Sequence, residues 1–99
     1  MINVIAIITA QEGQRDELLD AFKAVVPLVH KEKGCIEYQP VTDTENAGSQ
    51  AKIGDDSYMV IEKWETMDDL RAHAASSHMA EYGKKVGHLV ADRQVYVLD

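Results

Sequence analysis

With 99 residues, 45% of them apolar and 27% charged, the chain has the composition of one folded domain spanning residues 1–99, not of a disordered segment. Its formal net charge of −7 lacks the basic footprint that nucleic acid or an anionic membrane demands, so neither is expected as a partner. Cys35 is the single cysteine, which excludes an internal disulfide and suits a reducing compartment.

The first residues, MINVIAIITAQEG, lack both a basic segment and a small-residue cleavage pattern. No apolar run approaches the roughly 20 residues that cross a bilayer. A cytoplasmic location is the expectation. Ile2 to Thr9 is isoleucine-rich and ends at a turn around Gly13, which predicts a strand. From Gln14 to Glu32, Leu18, Leu19, Phe22, Val25, Val26 and Val29 follow helical spacing, with Asp16 and Glu17 complementing the dipole of the first turn. Pro27 should kink this helix at a cost of about 3 kcal/mol, and Gly34 is its natural stop.

Cys35 to Thr42 alternates and predicts a second strand. Residues 42–57 are expected to form a long loop, with a short strand near Gln50 to Ile53. Tyr58 to Glu65 is the third strand, on which Tyr58, Val60, Glu62 and Trp64 share a face. Thr66 is an N-cap with Asp69 three residues on, and Met67, Leu70, His73 and Ala74 lie along one face of the helix that follows. A further turn or two from His78, after two serines, carries Met79, Tyr82 and Val86. Val90 to Leu98 is the fourth strand.

The order β-α-β-β-α-β predicts an α+β domain of the ferredoxin-like type. In that architecture helices cover one face of the sheet, yet the first strand offers Ile2, Val4, Ala6 and Ile8 to one face and Ile5 and Ile7 to the other. The third strand likewise places Val60 and Trp64 on one face and Met59 and Ile61 on the other. A second apolar face needs a cover, and a homodimer packed sheet against sheet supplies it.

Tyr58 to His78 gathers the polar groups of a candidate pocket. His73 is the first choice of base, because imidazole titrates near neutrality and the apolar neighbours Met67 and Leu70 turn this one inward. His78 is a second candidate, or a surface or capping residue where the helix restarts. Glu62 beside Trp64 is a carboxylate on an apolar face, where burial raises the pKa. It could orient His73, act as a base itself, or pair with a cation at a dimer edge. Trp64 offers a flat face to an aromatic ring or to the core. Tyr38 and Tyr58 offer hydroxyls or core packing, and Arg71 and Arg93 could meet an oxyanion. His73 and His78 lie five apart, about 140° on a continuous helix. That is not a zinc-binding spacing, and no metal site is expected. Cys35 reads as a small buried residue, and no phosphate-binding glycine motif is present.

Gly13-x-x-x-Glu17, Glu32-Lys33-Gly34-Cys35-x-x-Tyr38, Val60-Ile61-Glu62-Lys63-Trp64-Glu65 and the His73/His78 pair together resemble the antibiotic biosynthesis monooxygenase family, and within it the bacterial quinol monooxygenases. The resemblance covers nearly the whole chain. It implies a dimeric α+β barrel with a pocket between sheet and helices, and oxygen chemistry without metal or flavin. Haem-degrading relatives are expected to carry an asparagine in the first strand and a haem-ligating histidine after the tryptophan. Ala6 and Gly83 stand there instead, and only Trp64 matches, so haem degradation is rejected. The expected activity is cofactor-independent oxidation of a quinol or related polycyclic phenol to a quinone by O₂. Two alternatives are an isomerase of a small carbonyl compound, phosphorylated or not, using the histidine pair, and a non-catalytic dimer that binds an aromatic ligand.

Overall fold

A computed structural model describes residues 1–99. Its elements are β1 (Ile2–Ala10), α1 (Arg15–His30), β2 (Cys35–Val41), β3 (Ser57–Trp64), α2 (Met67–Ala74), α3 (Ser77–Val86), a 3₁₀ turn (Gly87–Leu89) and β4 (Val90–Leu98). The sheet runs β2-β3-β1-β4, every neighbouring pair antiparallel. β3 therefore lies between β1 and β2, the split βαβ of the ferredoxin-like α+β class.

All three helices lie over one face. Leu18, Phe22 and Val29 of α1 bury against Val4, Ala6, Ile8, Tyr58, Val60 and Trp64 of the central strands. Each buried Val, Leu, Ile or Phe side chain among them contributes about 1.5–3 kcal/mol. Pro27 sits inside α1 without ending it. It is exposed, as is Lys23, whose carbonyl loses the proline's missing N–H and can turn to water instead.

α1 stops two residues short of the expected Glu32. The amides of Lys31 and Glu32 bond back to Leu28 and Val29, the three-residue spacing of a tightening last turn. Gly34 then adopts φ +81°, and its carbonyl accepts from the Glu65 amide at 2.9 Å. This draws the α1–β2 turn onto the start of α2 so closely that a Cβ at Gly34 would collide with the Asp69 side chain. His30 Nε2 donates to the Tyr38 carbonyl at 2.9 Å, fixing the end of α1 to β2.

The short strand expected near Gln50 to Ile53 is absent. The Asp43 carboxylate accepts the amides of Ile53 at 3.0 Å and Gly54 at 2.9 Å, so the loop closes on itself and those donors are unavailable to a ladder. The same bonds hold the Asp43 carboxyl below its ordinary range. After Trp64, Thr66 caps α2 as expected, its hydroxyl accepting the Asp69 amide at 3.1 Å.

The further turn or two expected from His78 is a separate helix, α3, that starts at Ser77 and runs to Val86. Ser76 is extended (φ −68°, ψ 149°) and its hydroxyl donates to the His73 carbonyl at 2.7 Å, which ends α2 and re-aims α3.

Gly34→Ala is expected to destabilise the fold by about 1–3 kcal/mol, the usual cost of a left-handed non-glycine residue with a clash added. Urea unfolding followed by tryptophan fluorescence measures it; an unchanged midpoint would mean that the turn relaxes freely.

Candidate active site

A cavity of about 630 Å³ lies between the sheet and α2–α3, and most of its lining is apolar. Its floor is a row across the strands set by register: Tyr38 opposite Glu62, Glu62 opposite Val4, Val4 opposite Val97. Met67, Leu70, His73 and Ala74, the face anticipated for α2, form part of the roof. Tyr58, Tyr82, Arg71 and Arg93 complete the polar fraction of the wall. No residue of the 42–56 loop contributes to it, and the helices leave the β4 side uncovered, where Val95 and Val97 are 41% and 50% exposed.

His73 is 6% exposed and its Nδ1 lies 2.9 Å from Glu32 Oε2. His78 Nε2 lies 2.9 Å from that same oxygen. A carboxylate only accepts, so Nδ1–H of His73 and Nε2–H of His78 both donate to it. In the neutral His73 ring the proton is thereby on Nδ1, and Nε2 carries the lone pair and has no protein partner. Arg15 Nε is the sole buried side-chain nitrogen or oxygen without a partner, so His73 Nε2 is accessible, on a ring that lines the cavity.

Glu62, 7% exposed, accepts from Trp64 Nε1 at 3.0 Å through Oε1. By the same reasoning its second oxygen is open. Burial pushes the Glu62 carboxyl above its ordinary range, against the opposing pull of the indole N–H and His73. Burial likewise raises the Tyr38, Tyr58 and Tyr82 hydroxyls, so these remain neutral phenols. Tyr58 and Tyr82 hydroxyls approach to 3.4 Å.

The structure thus brings His73, Glu62, Tyr38 and Tyr58 to one cavity and places two expected residues elsewhere. Trp64 is 0% exposed and does not line the cavity. Its indole lies against the His73 ring, centroids 4.8 Å apart, while its N–H holds Glu62. It supports the two polar groups from behind and is not a wall. His78 lies outside the lining too, half-buried on Glu32. Cys35 is half-buried, with burial and the charges of Glu32 and Glu62 raising its thiol. Arg71 lines the cavity while paired with Asp68 at 3.0 Å.

Glu32 is the residue that reading the sequence for chemistry missed. It reaches His73 and His78 from 41 and 46 residues away, and in the sequence it stood out only as the first residue of the Glu32-Lys33-Gly34-Cys35-x-x-Tyr38 motif, with no chemical role attached.

The fold is of the ferredoxin-like α+β class, with an imidazole–carboxylate pair beside an apolar cavity. Residues 1–85 match the antibiotic biosynthesis monooxygenase family, and the chain belongs to that family of monooxygenases. It is 37% identical over 100 residues to the Escherichia coli K12 protein named "Probable quinol monooxygenase YgiN", covering 99% of this chain and 96% of that one. Among solved structures, PA3566 from Pseudomonas aeruginosa superposes with a TM-score of 0.81 at 23% identity, covering 98% of this chain and 90% of its own. Rv0793 from Mycobacterium tuberculosis gives 0.80 at 22%, covering 99% and 92%. At those identities the likeness is one of fold.

The raised Glu62 carboxyl sets a direction for stability against pH. Below the ordinary carboxylate range the group is protonated folded and unfolded, and burial costs little. As pH rises through the folded value, a charge must be held in the apolar wall and stability is lost. Glu62→Gln, which keeps an acceptor for Trp64, is expected to be the more stable protein at neutral pH, with the difference vanishing in acid. Thermal unfolding at pH 4 and pH 7.5 tests this; a variant less stable at both would mean that the charged form is favoured by its surroundings.

Proposed function

We propose that the chain oxidises a quinol or related polycyclic phenol to a quinone with O₂, without a cofactor, and that His73 is the base. The observation that carries this reading is the Glu32–His73 hydrogen bond, which leaves the Nε2 lone pair available beside an apolar cavity. Dioxygen reacts slowly with closed-shell molecules, so the substrate must itself donate an electron. A quinol does so once deprotonated.

His73 Nε2 takes a phenolic proton and Glu32 stabilises the imidazolium that results, as an acid partner does for a histidine base. The quinolate passes one electron to O₂, and the radical pair combines at a ring carbon bearing hydrogen. The imidazolium returns its proton to the peroxide so formed, and the hydroperoxide then loses that ring hydrogen and its hydroxyl as water. One oxygen atom remains as a carbonyl and the other leaves. Burial raises the Glu62 carboxyl, and in its protonated form it donates to the departing hydroxyl and takes back the proton leaving the ring carbon. The stacked Phe22 and Tyr38 rings, 5.5 Å apart, give a planar substrate an aromatic wall. An isomerase shuttling protons between two histidines would need both in the cavity, and His78 does not line it.

The name of the Escherichia coli relative points to the same substrate class. Oxygen uptake with a chemically reduced naphthoquinol, by metal-stripped protein, is expected to exceed autoxidation and to fall about 10²–10⁴-fold in His73→Ala, the usual worth of a general base. Uptake equal to the buffer background for this and other polycyclic phenols would overturn the reading.

The working form is a homodimer joined through the sheet face away from the helices. On that face Ile5 lies opposite Ile61 and Tyr96, and Ile7 opposite Met59. Tyr96 and Leu98 are 48% and 47% exposed in the single chain, a large apolar surface for a monomer to present. Ile5→Asp is expected to shift sedimentation from dimer to monomer; a wild-type chain that sediments as a monomer at micromolar concentration removes the dimer.

A further inference from the structure

The break between α2 and α3 overturns the geometric ground for expecting no metal site. A spacing of five separates two histidines by about 140° only on a continuous helix. Here Ser76 interrupts it, and His73 Nδ1, His78 Nε2 and a Glu32 carboxylate oxygen all lie within 4.8 Å of one another.

We propose that Glu32, His73 and His78 form a site for a divalent transition-metal ion, Zn²⁺ by its ligand chemistry, and that its occupation switches the base off. Two imidazoles and one carboxylate suit zinc, which takes N and O ligands and keeps a fourth position open. Zinc bonds of about 2.0–2.2 Å place tetrahedral ligand atoms about 3.3 Å apart. The two Glu32–histidine edges, at 2.9 Å each, are already close to that. Only the histidine–histidine edge must shorten. His78 can supply the movement, because its side chain is 25% exposed at the start of α3 while His73 is held by Trp64 and Tyr38. The exposed flank of His78 and Glu32 also gives the ion a way in without passing through the cavity.

The consequence for chemistry follows from tautomers. The free protein carries the His73 proton on Nδ1, pointed at Glu32. A metal bound to Nδ1 displaces that proton, and a neutral imidazole must then carry it on Nε2. The nitrogen available to the cavity changes from acceptor to donor. Glu32 is occupied by the ion at the same time and no longer offsets an imidazolium. No net proton is released from a neutral ring, and no redox step is involved. Occupancy stands on the geometry alone, whereas the loss of activity rests on the proposed role of His73 as base.

Cobalt(II) is the probe for zinc, because it takes the same ligands and reports its coordination by visible ligand-field bands. Full-length, metal-stripped protein titrated with Co²⁺ is expected to develop four-coordinate bands at one equivalent, bleached by Zn²⁺. His78→Gln and Glu32→Gln should each weaken Co²⁺ binding at least tenfold, while His88→Asn, on the exposed 3₁₀ turn, leaves it unchanged. Circular dichroism checks that each variant is folded. Absent bands, or bands that persist in both folded variants, would overturn the site. In parallel, equimolar Zn²⁺ should abolish naphthoquinol-dependent oxygen uptake and a chelator restore it; bound zinc with full uptake would overturn the switch. If metal-free protein takes up no oxygen, the monooxygenase reading fails while the cobalt spectrum still decides the site.

Discussion

One carboxylate oxygen ties together the elements that surround the cavity. Glu32 Oε2 accepts from His73 and His78 at once, joining the turn after α1 to both sides of the break between α2 and α3. An acceptor shared by two N–H donors fixes the tautomer of each ring, and with it the side of His73 left free for chemistry. Glu32 can reach that position because Gly34, in a conformation other residues resist, lets the α1–β2 turn lie against Asp69 at the start of α2. The backbone of a turn thereby sets the tautomer of a ring elsewhere in the chain.

Trp64 does for Glu62 what Glu32 does for His73. Wholly buried, it spends its N–H on the Glu62 carboxyl and its ring face on the His73 imidazole. Two polar groups in an apolar cavity are thus each locked by one neighbour and left open on one atom. That is the arrangement a small domain needs if a base and an acid are to act on a ligand that brings its own reactivity. Under the proposed reaction the demand on the protein is positioning, and 99 residues suffice for it.

The sheet divides the labour between its faces. Toward the helices, register aligns Tyr38, Glu62, Val4 and Val97 into one floor, and the helices leave its β4 end open. On the other face, the apolar side chains of β1 and β3 are those that predicted a partner from sequence. The loop over residues 42–56 closes on its own aspartate and stays clear of this chain's cavity.

Period-two and period-3.6 patterns determined the element order, the helix-facing residues of β3 and the α2 face carrying His73, because those depend only on neighbours along the chain. The Thr66 cap was legible for the same reason. So was Glu62 as an anomaly, since a carboxylate between Val60 and Trp64 on one strand face must meet apolar surroundings. The sequence was silent wherever the outcome turned on distant segments meeting. Ser76, read locally, is a pause in a helix; only the fold shows that it swings His78 toward the nitrogen of His73 that Glu32 already holds. Trp64, read by composition, suits a pocket wall; only packing decided that its ring would lie behind His73 and its N–H beneath Glu62. Periodicity says which way a side chain faces, but the partner that fixes its proton is chosen by a contact across the fold, and that contact exists only once the chain has closed.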